Sequence, residues 1–331
     1  MSRPYALLRN GFPYNMTIGQ RRVTSNAVDI AFGAENIYVL CRGGLGTEIR
    51  VLDWEDNNLG TIGTGSFKWP SSILADKNEN LYVSEEAQNK VYVFSKDGAL
   101  LNEWGESGDG EGQFDRPTGM SFDTDNNIVL SDTLNNRIQK YTVKGEFIAQ
   151  FGSEGSGPGE FQMPWGTTVD EEGFIYVSDW RNDRVQKFTS SGEFVMEFGH
   201  PGKDKGQLNR PTDVAVDKDG DVYICDWGND RVQLFDQTGR FVEQFIGDAS
   251  LSISGMQYAL ANPVTLRIRE MADLEPTRRL QAPVSVVVDD ENRLFITDFG
   301  SHRVQVYKKD AIQLSEDQIA PPLRSPTLFT S

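Results

Sequence analysis

A sequence motif that recurs every 47 residues constrains the fold of this chain more than any other feature. A proline and a basic residue mark it at four equally spaced positions each: Pro70, Pro117, Pro164 and Pro211, with Lys90, Arg137, Arg184 and Arg231. The next pair, Pro283 and Arg303, follows after 72 residues, so the last gap holds a 25-residue insertion. A weaker copy at residues 28–39 makes six units. Periods of about 40 to 50 residues are typical of β-propeller blades.

Each unit contains four short runs with the composition of β-strands, separated by turns rich in Asp, Asn and Gly. In the fifth unit these runs are residues 213–216, 222–225, 231–235 and 241–245. The inner runs lack polar alternation, as expected for strands that are covered on both faces. We therefore predict an all-β fold, with residues 1–331 forming a single six-bladed propeller of four-stranded blades. The predicted blades are residues 20–63, 64–105, 106–152, 153–199, 200–246, and 280–310 together with 11–19.

The sixth unit indicates how the ring closes. It ends after its third strand, residues 303–307, and lacks the Gly-Glu-Phe fourth strand that blades three and four carry. Residues 11–19 resemble such a fourth strand. We therefore predict that the amino-terminal strand completes the last blade, which removes an unpaired sheet edge. Residues 311–331 are predicted to form a Pro-rich tail.

The repeated motif also carries a family resemblance. Its elements are Phe-x-x-Pro at Phe114 and Phe161, Val-Ser-Asp at residues 177–179, and Asn-x-Arg at residues 182–184 and 229–231. This pattern resembles the NHL repeat, and the resemblance implies a six-bladed propeller. It implies no single function, because propellers of this type are similar to ubiquitin-ligase scaffolds, RNA-binding propellers and peptidyl-hydroxyglycine lyase, and in architecture to streptogramin lyases and gluconolactonases.

The composition of the chain indicates its cellular environment and the classes of partner to expect. The chain has 32 Lys and Arg against 49 Asp and Glu, a formal net charge of −17, which makes nucleic acid an unexpected partner. Cys41 and Cys225 lie far apart without metal-binding spacing, and no apolar run is long enough for a membrane span or a signal peptide. We expect a cytoplasmic protein that does not enter the membrane; its oligomeric state is left open.

The predicted contact surface lies at one end of the ring. In a propeller, the loops that enter the inner strands and the turns between second and third strands meet at one end, here called the top face. By the repeat, this face carries Trp69, Trp165, Trp180, Arg181, Trp227 and Phe299. Aromatic patches with arginine are typical of binding surfaces, although packing between blades is an equal interpretation of the tryptophans. We therefore predict a non-enzymatic propeller that binds a protein partner or a small-molecule ligand on this face and in the central funnel.

The insertion, residues 246–279, is the largest feature outside the repeat. Its later part, residues 263–274, has the apolar spacing of a short amphipathic helix. By its position in the chain we expect it over the top face, where it would form a lid, a docking element or a surface elaboration on blades five and six.

The alternative prediction is a metal-assisted hydrolase or lyase, lactonase-like or streptogramin-lyase-like, acting in the funnel. Asp29, Glu85 and Asp213 are the candidate ligands for Ca²⁺, which prefers oxygen. His200 and His302 are the candidate catalytic bases and, with a carboxylate, candidate ligands for Zn²⁺; the count of two excludes a three-histidine site.

Two other acidic patterns are expected to be structural. The repeated Asp five residues before each repeated Arg is predicted to form an ion pair within its blade. The acidic run at residues 217–221 resembles the start of a calcium loop, but its position in the repeat favours a plain hairpin turn.

Overall fold

The computed structural model describes residues 7–19, 23–43, 46–262 and 273–314, together with residues 264, 267, 269 and 271. Within these residues, six four-stranded antiparallel sheets form a closed ring. The inner strands of neighbouring blades contact one another all the way round, including blade six against blade one. The predicted all-β, six-bladed propeller is confirmed.

The strands of each blade, from the central channel outward, follow chain order except in blade six. Blade one comprises Ala27–Phe32, Asn36–Cys41, Glu48–Asp53 and Asn58–Ile62; blade two comprises Pro70–Ala75, Leu81–Glu85, Lys90–Phe94 and Leu100–Trp104. Blade three comprises Pro117–Phe122, Ile128–Asp132, Arg137–Tyr141 and Phe147–Phe151; blade four comprises Pro164–Val169, Ile175–Asp179, Arg184–Phe188 and Phe194–Phe198. Blade five comprises Pro211–Val216, Val222–Asp226, Arg231–Phe235 and Phe241–Phe245; blade six comprises Pro283–Val288, Arg293–Asp298, Arg303–Lys308 and Tyr14–Ile18.

The remaining elements are short. Two parallel pairs lie in the connectors: Glu106–Ser107 with Gln113–Phe114, and Ser153–Glu154 with Glu160–Phe161. The helices whose full range lies within the described residues are the 3₁₀ turns Thr133–Asn135, Trp227–Asn229 and Phe299–Ser301, and the α-helices Ile253–Ala261 and Glu275–Arg278. Among the described residues, no helix has the length and apolarity to cross a bilayer.

The amino-terminal strand closes the ring as predicted. Tyr14–Ile18 pairs antiparallel with Arg303–Lys308, with Ile18 opposite Val304. The chain adds a pairing that the sequence did not indicate: Leu7–Gly11 and Asp310–Gln313 form a two-stranded sheet. The start of the predicted tail is therefore a strand, and the tail beyond residue 314 lies outside the described residues.

The core consists of apolar layers between adjacent blades. Every residue of the second strand of blade five, Val222–Asp226, is buried, whereas four of the five residues of the outer strand of blade two, Leu100–Trp104, are exposed. Inner strands are covered by a blade on each side, which explains their lack of polar alternation.

The repeated Asp–Arg pair is an ion pair in four blades, as predicted. The Arg Nε to Asp Oδ2 distances are 2.8 Å for Arg137 and Asp132, 3.0 Å for Arg184 and Asp179, 2.7 Å for Arg231 and Asp226, and 2.9 Å for Arg303 and Asp298. The second carboxylate oxygen accepts a backbone N–H of the loop entering the blade, as Asp132 does from Asp115 at 2.7 Å. Each pair therefore ties one blade to its own entering loop.

Candidate functional site

Two cavities lie along the axis of the ring and meet at a constriction, here called the neck. One residue of each inner strand forms it: Asp29, Ser72, Gly119, Gly166, Asp213 and Ser285. The upper cavity, toward the top face, has a volume of about 170 Å³, and the lower cavity has a volume of about 280 Å³. Asp29 and Asp213 line both cavities, so a ligand entering from the top face reaches them last.

Three tryptophans line one side of the upper cavity. Trp165 follows the repeat proline of blade four, and Trp180 and Trp227 follow the repeat Asp of blades four and five. The ring centroids of Trp165 and Trp180 are 5.9 Å apart. All three side chains are partly exposed, so they present ring surface to the cavity in addition to packing between blades.

The opposite side of the upper cavity is formed by Arg42, which the sequence analysis did not single out. Its guanidinium lies 4.3 Å from the ring centroid of Trp69 and 5.5 Å from that of Phe299. Glu86 lies 3.6 Å from it, and burial lowers the pKa of Arg42. Trp69 and Phe299 therefore hold Arg42 rather than line the cavity themselves.

Glu86 is almost fully buried and joins the blades on this side. It pairs with Arg116 at 2.7 Å and accepts a hydrogen bond from the Ser71 hydroxyl, and burial raises the pKa of Glu86. In each blade, one residue directly follows the position of the repeat acid. Arg42 and Glu86 occupy this position in blades one and two, as Trp180 and Trp227 do in blades four and five. That shared position was the available sequence signal for both residues.

Asp29 is held at the neck by donors from three blades. Its Oδ1 accepts hydrogen bonds from the Ile30 N–H at 2.8 Å and the Ser285 hydroxyl at 2.7 Å. Its Oδ2 accepts from the Ile73 N–H and the Ser72 hydroxyl, both at 2.8 Å. Burial raises the pKa of Asp29, and the four donors act against that rise by favouring the carboxylate.

Asp213 is the second acid of the neck. Its Oδ2 accepts a hydrogen bond from the Val286 N–H at 3.0 Å, and its Oδ1 faces the backbone of Gly166. Burial, followed by the charge of Asp29, raises the pKa of Asp213 to about 8. The neck pair, Asp29 and Asp213, is therefore under opposite influences: burial and the neighbouring charge favour a protonated Asp213, whereas the four donors favour the carboxylate form of Asp29.

The structure brings two of the three predicted metal ligands, Asp29 and Asp213, to the neck and places Glu85 elsewhere. Glu85 replaces the repeat Asp of blade two and does what the Asp does elsewhere: its Oε1 accepts the backbone N–H groups of Lys68, at 3.2 Å, and Trp69. It lines neither cavity. Across the described ranges, no three or more His, Cys, Asp or Glu side chains are grouped so that they could hold a metal ion.

The two candidate bases lie outside both cavities as well. His200 is an exposed residue of a connector. His302 adopts a left-handed conformation, with φ of 58°, and its Nδ1 accepts the Asn26 N–H at 3.0 Å. At four of the other five blade junctions the matching N–H is accepted by Asn89, Asn136, Asp183 and Asp230. His302 therefore caps the junction between blades six and one, a role that its repeat position could have indicated.

Arg181 and the insertion lie at the periphery. Arg181 is exposed, with its guanidinium 5.8 Å from the ring centroid of Trp180. The described part of the insertion lines neither cavity, and most of the predicted helix at residues 263–274 lies outside the described residues. Its Ser250 backbone accepts the Thr17 hydroxyl at 3.1 Å, and its Ser254 N–H donates to Asp56 at 3.1 Å. These contacts place it against the closing strand of blade six and an outer turn of blade one.

Comparisons with known proteins agree with this architecture. The NHL repeat family model matches three segments, in blades four, five and six: residues 161–188, 208–235 and 280–307. A second family model, described as a six-bladed beta-propeller, matches residues 66–144. The chain therefore contains NHL repeats within a six-bladed β-propeller. No curated protein matches its sequence significantly.

Solved structures of similar fold come from proteins of different kinds. Virginiamycin B lyase from Staphylococcus aureus is 14% identical with a TM-score of 0.58, covering 92% of this chain and 90% of the lyase. A protein of unknown function from Bacteroides thetaiotaomicron is 18% identical with a TM-score of 0.62, covering 91% of this chain and 73% of that one. An auxiliary nutrient binding protein from the same organism is 13% identical with a TM-score of 0.62 and the same coverage. At such identities the likeness extends to the fold alone.

Proposed function

We propose that this protein is a non-enzymatic binding propeller that takes its ligand into the upper cavity from the top face. The observation that carries the proposal is the convergence of Trp165, Trp180 and Trp227 on one cavity that ends at the neck pair. Large, partly exposed aromatic side chains around a concave site with a few polar groups at its base are the usual composition of small-molecule sites. A small-molecule ligand is favoured over a protein partner because the convergence is concave.

The alternative, a hydrolase or lyase, receives less support from the same geometry. Its candidate bases, His200 and His302, line neither cavity, and Glu85 supports a loop. General acid–base catalysis requires a group within hydrogen-bonding reach of the bound substrate. Only the neck pair meets that condition among the predicted site residues. For the cellular location we propose the cytoplasm, where the two buried, unpaired thiols of Cys41 and Cys225 would stay reduced.

The test is a small-molecule screen by ligand-observed NMR, followed by affinity measurements on variants. Trp165→Ala and Trp227→Ala should each weaken a true ligand by about tenfold or more, because an aromatic wall contributes roughly 1–2 kcal/mol. Trp54→Phe is the matched control, since Trp54 stacks on Phe32, with ring centroids 6.0 Å apart, and lies outside the upper cavity. Ligands that bind both alanine variants as tightly as the wild type, with all variants folded by circular dichroism, would refute the proposal.

A further inference from the structure

We infer that the upper cavity selects an organic ammonium group, with the cationic head at Asp213 and Asp29 and the apolar body against Trp165, Trp180 and Trp227. The inference rests on the proposed function and adds to it the chemical class of the ligand. It is carried by two features of the cavity: a base of two carboxyl groups that form no salt bridge among the described residues, and an indole wall.

The base of the cavity is acidic and uncompensated. Among the described residues, Asp29 and Asp213 form no salt bridge within 4.0 Å, and the electrostatic neighbour that acts on Asp213 is the other carboxylate. The repeated Asp residues differ in this respect, since each has an arginine as partner, as Asp132 has Arg137 at 2.8 Å. Buried charges are normally paired, so an unpaired negative site open to a cavity favours a cationic ligand.

The wall of the cavity has the chemistry to hold that cation. The face of an indole attracts cations, most strongly among the aromatic side chains. This protein already uses top-face indoles in that way: Arg210 lies 5.0 Å from the ring centroid of Trp180, and Arg42 lies 4.3 Å from that of Trp69. An ammonium with an apolar body would meet the indoles along its length and the carboxylates at its head.

Arg42 also lines the cavity, and its charge would oppose a cation if it were free. Glu86 lies 3.6 Å from its guanidinium but also pairs with Arg116 at 2.7 Å, so Glu86 offsets only part of the charge of Arg42. Trp69 and Phe299 hold the guanidinium on the side of the cavity opposite the three tryptophans. A cation at the neck would therefore meet the two carboxylates and the indole wall, and the comparison of ligands below measures whether these outweigh Arg42.

The experiment compares three ligands of one shape by isothermal titration calorimetry: benzylamine, benzyl alcohol and benzoate. We expect benzylamine to bind at least about tenfold more tightly than benzyl alcohol, and benzoate not to bind. Asp213→Asn should abolish the preference for the amine over the alcohol, because it removes the carboxyl group that a bound ammonium would ionise, while asparagine keeps the size of the side chain and an acceptor for the Val286 N–H. A lysine-containing peptide, titrated alongside, tests whether a partner chain can supply the same cationic group.

The control variant is Asp204→Asn, the same substitution at an exposed connector residue of blade five. It should leave the preference for the amine intact. Equal affinity for amine and alcohol would overturn the inference while leaving the proposed binding function standing. An unchanged preference in Asp213→Asn, displacement of the amine by micromolar Ca²⁺, or no binding of any of the three would also overturn it, and the screen described above decides the binding function separately.

Discussion

The properties of single residues in this protein are set by neighbours from other blades. Asp29 belongs to blade one, but its donors Ser72 and Ser285 come from blades two and six. His302 belongs to blade six and caps the backbone of blade one. A residue of ordinary type thus acquires its role from the closure of the ring.

The neck pair predicts how stability depends on pH. The pKa of Asp213 is about 8 in the folded protein and 3.8 in its ordinary state, so between these values the unfolded chain releases a proton that the native state keeps. The free energy of unfolding therefore falls as pH rises from about 4 to 8, by at most about 1.4 kcal/mol per pH unit for one proton. Asp213→Asn should remove this contribution. Urea unfolding at pH 5, 6, 7 and 8 measures it, and parallel pH profiles for the wild type and the variant would contradict it.

His302 predicts a second residue-scale effect. His302→Ala removes the acceptor for the Asn26 N–H and should lower the free energy of unfolding by about 1 kcal/mol. His302→Asn should cost little, because Asn89 and Asn136 fill the equivalent left-handed positions with the same hydrogen bond. Urea unfolding at pH 7 compares the two variants. If they were equally destabilised, the capping role would be wrong.

At the scale of elements, ion pairs hold the two terminal strands against blade five. The ammonium of Lys309 is buried and lies 2.6 Å from Asp217, 2.8 Å from Asp219 and 2.9 Å from Asp221, and Arg9 donates to Asp221 at 2.7 Å. Burial alone would lower the pKa of Lys309, but the charges of Asp217 and Asp221 leave it raised. The acidic run that resembles a calcium loop is thus a hairpin turn, as predicted, and the cation it holds belongs to the chain itself.

We expect that removing the ammonium of Lys309 lowers the free energy of unfolding by a large amount. Lys309→Met leaves three acidic side chains without their buried partner and should lower the free energy of unfolding by about 3–5 kcal/mol. The adjacent Lys308→Met is the matched control: Lys308 is 42% exposed and lies 3.8 Å from Glu291, so its loss should cost less than about 1 kcal/mol. Equal urea midpoints for the two variants would show that the terminal strands are held by other contacts.

At the scale of the whole molecule, the ring depends on a strand from the opposite end of the chain. Without Tyr14–Ile18, the third strand of blade six would present an open edge with the apolar residues Val304 and Val306 beside it. Such edges recruit other chains. The closing strand is therefore a condition of both solubility and cooperative unfolding.

Deletion of residues 1–19 tests that dependence. The shortened protein should aggregate, seen by light scattering, and lose its single cooperative unfolding transition. A synthetic peptide of residues 7–19 added in excess should restore both properties, because it supplies the missing strand and Arg9, whereas a scrambled peptide should not. A soluble, cooperatively folded deletion variant without peptide would show that the ring closes by another route.

The sequence by itself determined those features of the fold that follow from the repeat. The 47-residue period, the turn residues and the apolar runs were enough to predict six blades, their order and the strand that closes the ring, because these features rest on local strand and turn preferences repeated along the chain. The Asp–Arg ion pairs followed for the same reason, since both partners lie within one unit.

Only the tertiary structure determined where the residues that differ from the repeat lie in the molecule. The sequence marked Asp29, Glu85 and Asp213 as unusual, but their separation depends on how blades pack about the axis, which brings two of them to the neck and leaves the third under a loop. The contacts of the described part of the insertion, with Thr17 and Asp56, likewise join residues that are distant in sequence. Local strand and turn preferences specify a single blade. A site on the axis takes one residue from each blade, and only the closed ring brings those residues together.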